Sequence, residues 1–198
     1  MRAPLLVVVA LLFALPACSA DVQAPADAGA PAGPRCIERV APSAAPSGGT
    51  ESGPALPAMA LPCFSGGRYT DVADLGGTPT VVNLWASYCD PCRYELPALQ
   101  QFATDGAGRV RVVGVVTKDR HASAQSVIDA KRLTFPMLED QGQQFAIAAS
   151  PLVSKALVTL PATLFVTPGG RIAYTYQGEP LTEARLQELT QRYLGVAV

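Results

Sequence analysis

Pro79-Thr80-Val81-Val82-Asn83-Leu84-Trp85-Ala86-Ser87-Tyr88-Cys89-Asp90-Pro91-Cys92 joins two kinds of pattern without a break. Pro79 to Ala86 is a β-branched, apolar run of strand length, the composition of a strand buried on both faces. Pro91 to about Ala103 then reads as a helix, with Pro97 bending it. The two cysteines therefore fall where a strand ends and a helix begins. A cysteine at a helix N-terminus meets unpaired backbone N–H groups and the positive end of the dipole, both of which stabilise its thiolate. A second cysteine one turn later is close enough to attack a mixed disulfide formed by the first. Such a dithiol cycles between an internal disulfide and two thiols by exchange with a partner protein.

The pattern extends outward on both sides. Upstream, Cys63 to Leu75 carries Gly66-Gly67, a two-residue turn signal between short extended pieces, and so predicts a β-hairpin. Downstream, Arg109 to Thr117 is a second buried strand, and Ala122 to Leu133 and Gln143 to Ala149 read as helices. Ala162 to Thr167 and Arg171 to Gln177 flank Pro168-Gly169-Gly170 as an antiparallel hairpin. Thr182 to Leu194 closes the chain as a helix with Leu186, Leu189 and Tyr193 on one face. Strands alternating with helices and followed by a hairpin give an α/β domain with a mixed central sheet, assigned to residues 56–198.

The chain has 198 residues and begins with Met1-Arg2, an apolar run from Leu5 to Leu15, and Pro16-Ala17 before Cys18. These 11 apolar residues are too few to cross a hydrocarbon core of about 30 Å, so residues 1–17 read as a signal segment. The residues before Cys18 resemble a bacterial lipobox, which makes Cys18 an acylated mature N-terminus. An ordinary secretory signal cut near Ala17 or Ala20 is the alternative, and both export the chain. Residues 18–55 read as an extended tether: Ala, Pro, Gly and Ser fill 27 of the 40 positions from 19 to 58. Cys36-Ile37-Glu38-Arg39-Val40 is the one island of ordinary composition within it. Net charge is −1 and no run of Lys or Arg occurs, which argues against a nucleic-acid partner.

Five cysteines are an awkward number for an oxidising compartment. With Cys18 lipidated, four remain, and one of their three pairings joins Cys89 to Cys92. That pairing leaves Cys36 and Cys63, expected to form a structural disulfide fastening the tether to the hairpin.

The segment TVVNLWASYCDPCRYELP resembles the active-site segment of TlpA/ResA-type thioredoxin-like proteins, and the resemblance extends over roughly Leu56 to Leu194, including LPATLFVTPGGRI. It implies a thioredoxin-like fold with an N-terminal β-hairpin extension and a helical insertion after Thr117. It also implies an exported, membrane-anchored thiol–disulfide oxidoreductase. In that pattern Cys89 is the exposed nucleophile, Cys92 the resolving cysteine and Glu95 an acidic residue assisting proton transfer, one helical turn from Cys92. Pro161 matches a cis-proline facing the dithiol, with Leu160 offering its backbone to a substrate strand; Trp85 and Tyr88 are the further client-contacting candidates. The implied partners are protein dithiol or disulfide clients and a membrane electron donor or acceptor, with a monomeric protein needing no cofactor beyond its own Cys89–Cys92 bond and no metal. Reduction of clients is the direction the resemblance suggests, apocytochromes during haem attachment being one client class, with oxidation of nascent proteins as the alternative. Three departures stand out. Tyr88 replaces the more usual tryptophan, Asn83 sits where thioredoxins carry a buried aspartate, and Asp90 places a negative charge between the cysteines that opposes the Cys89 thiolate.

Rival readings have weaker support. A zinc site needs two ligands beyond Cys89 and Cys92, and Cys36 and Cys63 form no second CxxC. A thiol peroxidase would use Thr-x-x-Cys, whereas Ala86 precedes Cys89 by three. A copper-delivering relative would show CxxxC and a distant histidine, and His121 falls too early, reading instead as a surface residue at a helix start. A non-catalytic binding module and an inert structural disulfide are the remaining alternatives.

Overall fold

The structure is a computed structural model and describes Ile37, residues 52–153 and residues 156–198. The signal expectation and the tether expectation apart from Ile37 and residues 52–55, with Cys18 and Cys36, lie outside the described residues. Among those described, no helix is long and apolar enough to cross a membrane.

The chain enters through a small antiparallel hairpin, β1 (Ala60–Pro62) and β2 (Tyr69–Asp71), with Ala60 opposite Asp71. Its turn contains Gly66 and Gly67, both at φ +80°, where any other residue type would be strained. Of the 63–75 window only Tyr69–Asp71 is strand: its partner β1 ends at Pro62, just ahead of the window, because Cys63 to Arg68 is spent on the reversal and Val72–Leu75 forms a 3-10 turn. The segment before the hairpin, which composition leaves in or beside the tether, is laid along the sheet. Ile172 N donates to Pro54 O at 2.8 Å and Leu56 N to Gly170 O at 3.0 Å.

The main sheet is built around β3 (Thr80–Trp85), all six residues of which are buried, as its apolar run requires. The following elements are α1 (Asp90–Asp105), β4 (Arg111–Thr117), α2 (His121–Lys131), β5 (Met137–Asp140), α3 (Gln144–Ala149), β6 (Ala162–Val166), β7 (Ile172–Tyr176) and α4 (Glu183–Leu194). Strand order is β5-β4-β3-β6-β7, with β3, β4 and β5 parallel and β6 and β7 antiparallel to their neighbours. This is the mixed α/β sheet of a thioredoxin-like fold, with α2, β5 and α3 inserted between β4 and β6. The short strand β5 has no counterpart in the sequence reading.

The sheet separates two apolar layers. Leu96, Leu99 and Phe102 of α1, Ile128 of α2 and Leu186 and Leu189 of α4 pack on one face against Val81, Trp85, Val112 and Phe165. On the other, Val82, Leu84, Val113 and Val115 meet Leu61, Leu75, Phe145 and Ala149. Gly114 stands where a Cβ would come within 3.2 Å of the Trp85 indole, so its missing side chain opens the space that ring occupies. Trp85 was expected to face clients; its exposure is 0%, and it supports the motif from inside the core instead.

Phe102 is fully buried at the heart of the α1 layer. Phe102→Ala is expected to lower the unfolding free energy by about 3–5 kcal/mol in urea titrations. Tyr94→Ala, on the exposed face of the same helix, is expected to change it by about 0.5 kcal/mol or less. Equal losses would contradict this layer assignment.

Candidate functional site

The end of β3 delivers Cys89 to the start of α1 as its N-cap. Its backbone is extended (φ −88°, ψ 102°), and its Sγ accepts a hydrogen bond from Cys92 N at 3.2 Å. Pro91 occupies the first turn, where its missing N–H costs nothing. Cys89 and Cys92 are joined by a disulfide with their Cα atoms 5.3 Å apart. Cys89 keeps 9% exposure while Cys92 has 0%, so a partner sulfur reaches Cys89 first. Tyr88 beside it is 60% exposed, and Leu160, half buried, precedes a cis peptide bond to the buried Pro161.

Beneath the disulfide, α1 points Glu95 into the protein at 1% exposure. Its Oε1 accepts from Asn83 Nδ2 at 2.7 Å and its Oε2 from Leu181 N at 2.9 Å. Asn83 Nδ2 also donates to Thr163 Oγ1 at 2.9 Å, tying β3, β6, α1 and the approach to α4 to one carboxyl group. Burial raises the Glu95 pKa above its ordinary value, against the lowering effect of the hydrogen bonds from Leu181 and Asn83. Asn83 Oδ1 is buried without a partner among the described residues, an acceptor available if the carboxyl gains a proton and the amide turns over. The family resemblance points to Glu95 and to Asn83 as a departure from an aspartate; nothing in it joins the two by a bond or places a backbone N–H at 181 in the pocket.

The charge expected from Asp90 is compensated. Asp90 pairs with Arg93 one turn on, and Arg93 Nη1 also donates to Ser87 O at 3.2 Å. A second carboxylate, missed because it lies in an irregular loop, secures the segment before Cys89. Asp119 accepts from Ser87 N at 2.5 Å and from Ser87 Oγ at 3.0 Å. His121 begins α2, as expected, where it stacks on Phe64 with ring centroids 4.2 Å apart and bonds Glu139 through Nδ1 at 2.5 Å. Cys63 is itself disulfide-bonded, and its partner lies outside the described residues.

A raised pKa for Glu95 means that the folded protein holds this proton more tightly than the unfolded chain. The associated stability is full below the ordinary value of 4.5 and is lost as the pH rises through the raised folded value. Unfolding free energies of wild type and Glu95→Gln across that window are expected to differ by an amount that changes with pH, wild type losing ground as pH rises. A constant difference would mean that Glu95 titrates normally.

The chain is similar to proteins of known type. The AhpC/TSA family matches residues 53–175. The sporulation thiol-disulfide oxidoreductase A of Bacillus subtilis is 29% identical over 145 residues, 71% of this chain and 83% of that protein. The thiol-disulfide oxidoreductase ResA of Oceanobacillus iheyensis is 30% identical over 117 residues, 59% of this chain and 57% of that one. The chain thus spans little more than half the length of the latter. The crystal structure of StoA from Bacillus subtilis superposes with a TM-score of 0.56 at 26% identity, covering 69% of this chain and 99% of that one. With its sheet order, its Cys89–Cys92 bond and this match, the chain belongs to the AhpC/TSA family and, within it, is similar to thioredoxin-like thiol–disulfide oxidoreductases.

Proposed function

We propose that the protein is a thiol–disulfide oxidoreductase that exchanges disulfides with protein clients outside the cytoplasm, more specifically as a reductant anchored to a membrane through Cys18. The observation that carries the reading is the asymmetric pair: Cys89 at a helix N-cap, with 9% exposure, bonded to a fully buried Cys92 that lies one helical turn from the buried Glu95. Export rests on the apolar Leu5–Leu15 segment, and anchoring on the residues around Cys18. Apocytochromes are the client class that the resemblance suggests. A membrane donor of electrons would restore the dithiol after each turnover.

In the reducing direction the Cys89 thiolate attacks one sulfur of a client disulfide. A Cys89–client bond forms, the client S–S bond breaks, and the released client thiolate takes a proton from water. Cys92, still a thiol, then gives up its proton, and Glu95 on the same helix face is the group positioned to receive it. A carboxylate with a raised pKa is a better base for a thiol than an ordinary one. The Cys92 thiolate attacks Cys89 Sγ, the internal disulfide forms, and the second client sulfur leaves as a thiolate. Two electrons have passed to the client and the Cys89–Cys92 pair is oxidised. Tyr88 and the Leu160 backbone are the surfaces on which a client strand would lie. Peroxide chemistry has less support, since the hydroxyl it would use three residues before Cys89 is replaced by the buried Ala86.

Cys92→Ser is expected to accumulate a mixed disulfide with clients through Cys89, and Cys89→Ser to form none. Gel shift and mass mapping of the adducts check this, and adducts mapping to Cys63 would contradict the assignment. Cys36 is proposed as the partner of Cys63, closing a bridge that limits the freedom of the unfolded chain. Peptide mapping after mild dithiothreitol treatment is expected to find Cys36 and Cys63 still joined while Cys89 and Cys92 are alkylated. A bridge between Cys63 and Cys89 would overturn it.

A further inference from the structure

Beyond the dithiol, the described residues line an open cleft of about 490 Å³ between the second half of α1, the start of β4 and residues 134–136. It lies at the far end of the sheet. Thr80, opposite Arg111 in the β3–β4 register, precedes Trp85 by five residues, about 16 Å along the strand. Pairing between β4 and β5 starts only at Gly114 and Met137, because Pro136 has no N–H with which to extend the ladder. The first residues of β4 therefore keep a bare edge against this space.

One wall carries the half-buried side chain of Arg111. Arg111 Nη1 is buried and has no hydrogen-bond partner among the described residues. No Asp or Glu lines the cavity. Gln100 bonds Thr134 and Thr104 at 2.7 to 3.3 Å and makes no bond to Arg111 Nη1. Burial lowers the Arg111 pKa from its usual value, in keeping with a guanidinium short of partners. A guanidinium at the wall of a cleft is matched best by a carboxylate or phosphate. Arg111 is the one cation lining the space, and Ala103, Val110, Val112 and Phe135 give the remainder an apolar surface. A single cation beside apolar walls suits one negative charge on a hydrocarbon body better than a dianion. The volume is within the range of small-ligand sites.

We propose that this cavity binds a small organic carboxylate, its headgroup on Arg111 and its apolar chain against Ala103, Val110, Val112 and Phe135. The site is separate from the dithiol and does not depend on the redox reading. The probe is hexanoate, titrated into the isotopically labelled full chain and followed by amide NMR, with hexanol and sulfate as the neutral and the non-apolar controls. Hexanoate is expected to saturate with shifts concentrated at residues 103, 110–112 and 135, and to bind at least tenfold more tightly than either control. Arg111→Met and Ala103→Phe, one removing the charge and the other filling the space, are each expected to weaken hexanoate at least tenfold. The proposal is overturned if hexanoate fails to saturate, if hexanol or sulfate binds equally well, or if either variant binds as wild type does. Should Arg111→Met not fold, the Ala103→Phe variant and the two controls decide the matter alone.

Discussion

A carboxyl group buried beneath a disulfide has to be held in place by whatever can donate to it, and here that requirement organises the domain. Glu95 reaches the interior from α1, and its two oxygens are met by a side chain of the central strand and by a backbone N–H just ahead of the last helix. Asn83 passes the constraint on to Thr163 of β6. Four elements distant in sequence are thus fixed to one ionisable group. Removing any donor would leave a buried oxygen unpaired, and an unpaired buried polar group is costly. The same desolvation that makes the arrangement demanding also raises the Glu95 pKa toward the range in which proton exchange with a thiol is efficient.

Around this centre, the elements that shape reactivity act on Cys89 from different directions. The helix N-terminus and the Cys92 N–H favour a negative sulfur. Asp90 would oppose it, but Arg93 draws that carboxylate into an ion pair. Both groups are largely exposed, so water and salt screen the pair, and its effect is local. Asp119 supplies a firmer restraint, holding Ser87 by backbone and side chain so that the turn into the motif is fixed before the cysteine arrives. Burial then sorts the two cysteines, Cys89 keeping 9% exposure and Cys92 none.

How far this could be read from the sequence depended on how much of each feature was local. The continuous β-branched run of β3 needs two apolar faces, so its central position followed directly, and the Cys-Asp-Pro-Cys step to a helix fixed the place of the dithiol. Strand β5 escaped because its four residues end in Glu139 and Asp140, which hide an interior strand behind polar composition. Asp140 is nonetheless buried, its carboxylate accepting from the first N–H groups of α3. Trp85 was misplaced for a related reason. As the last residue of a strand beside an exposed motif it looks client-facing, yet the space left by Gly114 on the next strand draws it inward. The Asn83–Glu95–Leu181 arrangement could not be read, since it joins residues 12 and 86 apart in sequence and one of its donors is a backbone amide.

The central claim is that Cys89–Cys92 is an exchanging bond rather than a structural one, and its equilibrium reduction potential tests that most directly. Poised in glutathione or dithiothreitol buffers and quenched by alkylation, the pair is expected to equilibrate reversibly between about −270 and −120 mV, nearer the lower figure for a reductant. The Cys63 bridge should remain intact throughout. A Cys89–Cys92 bond that fails to equilibrate, or that stays oxidised below about −300 mV as structural disulfides do, would contradict the account.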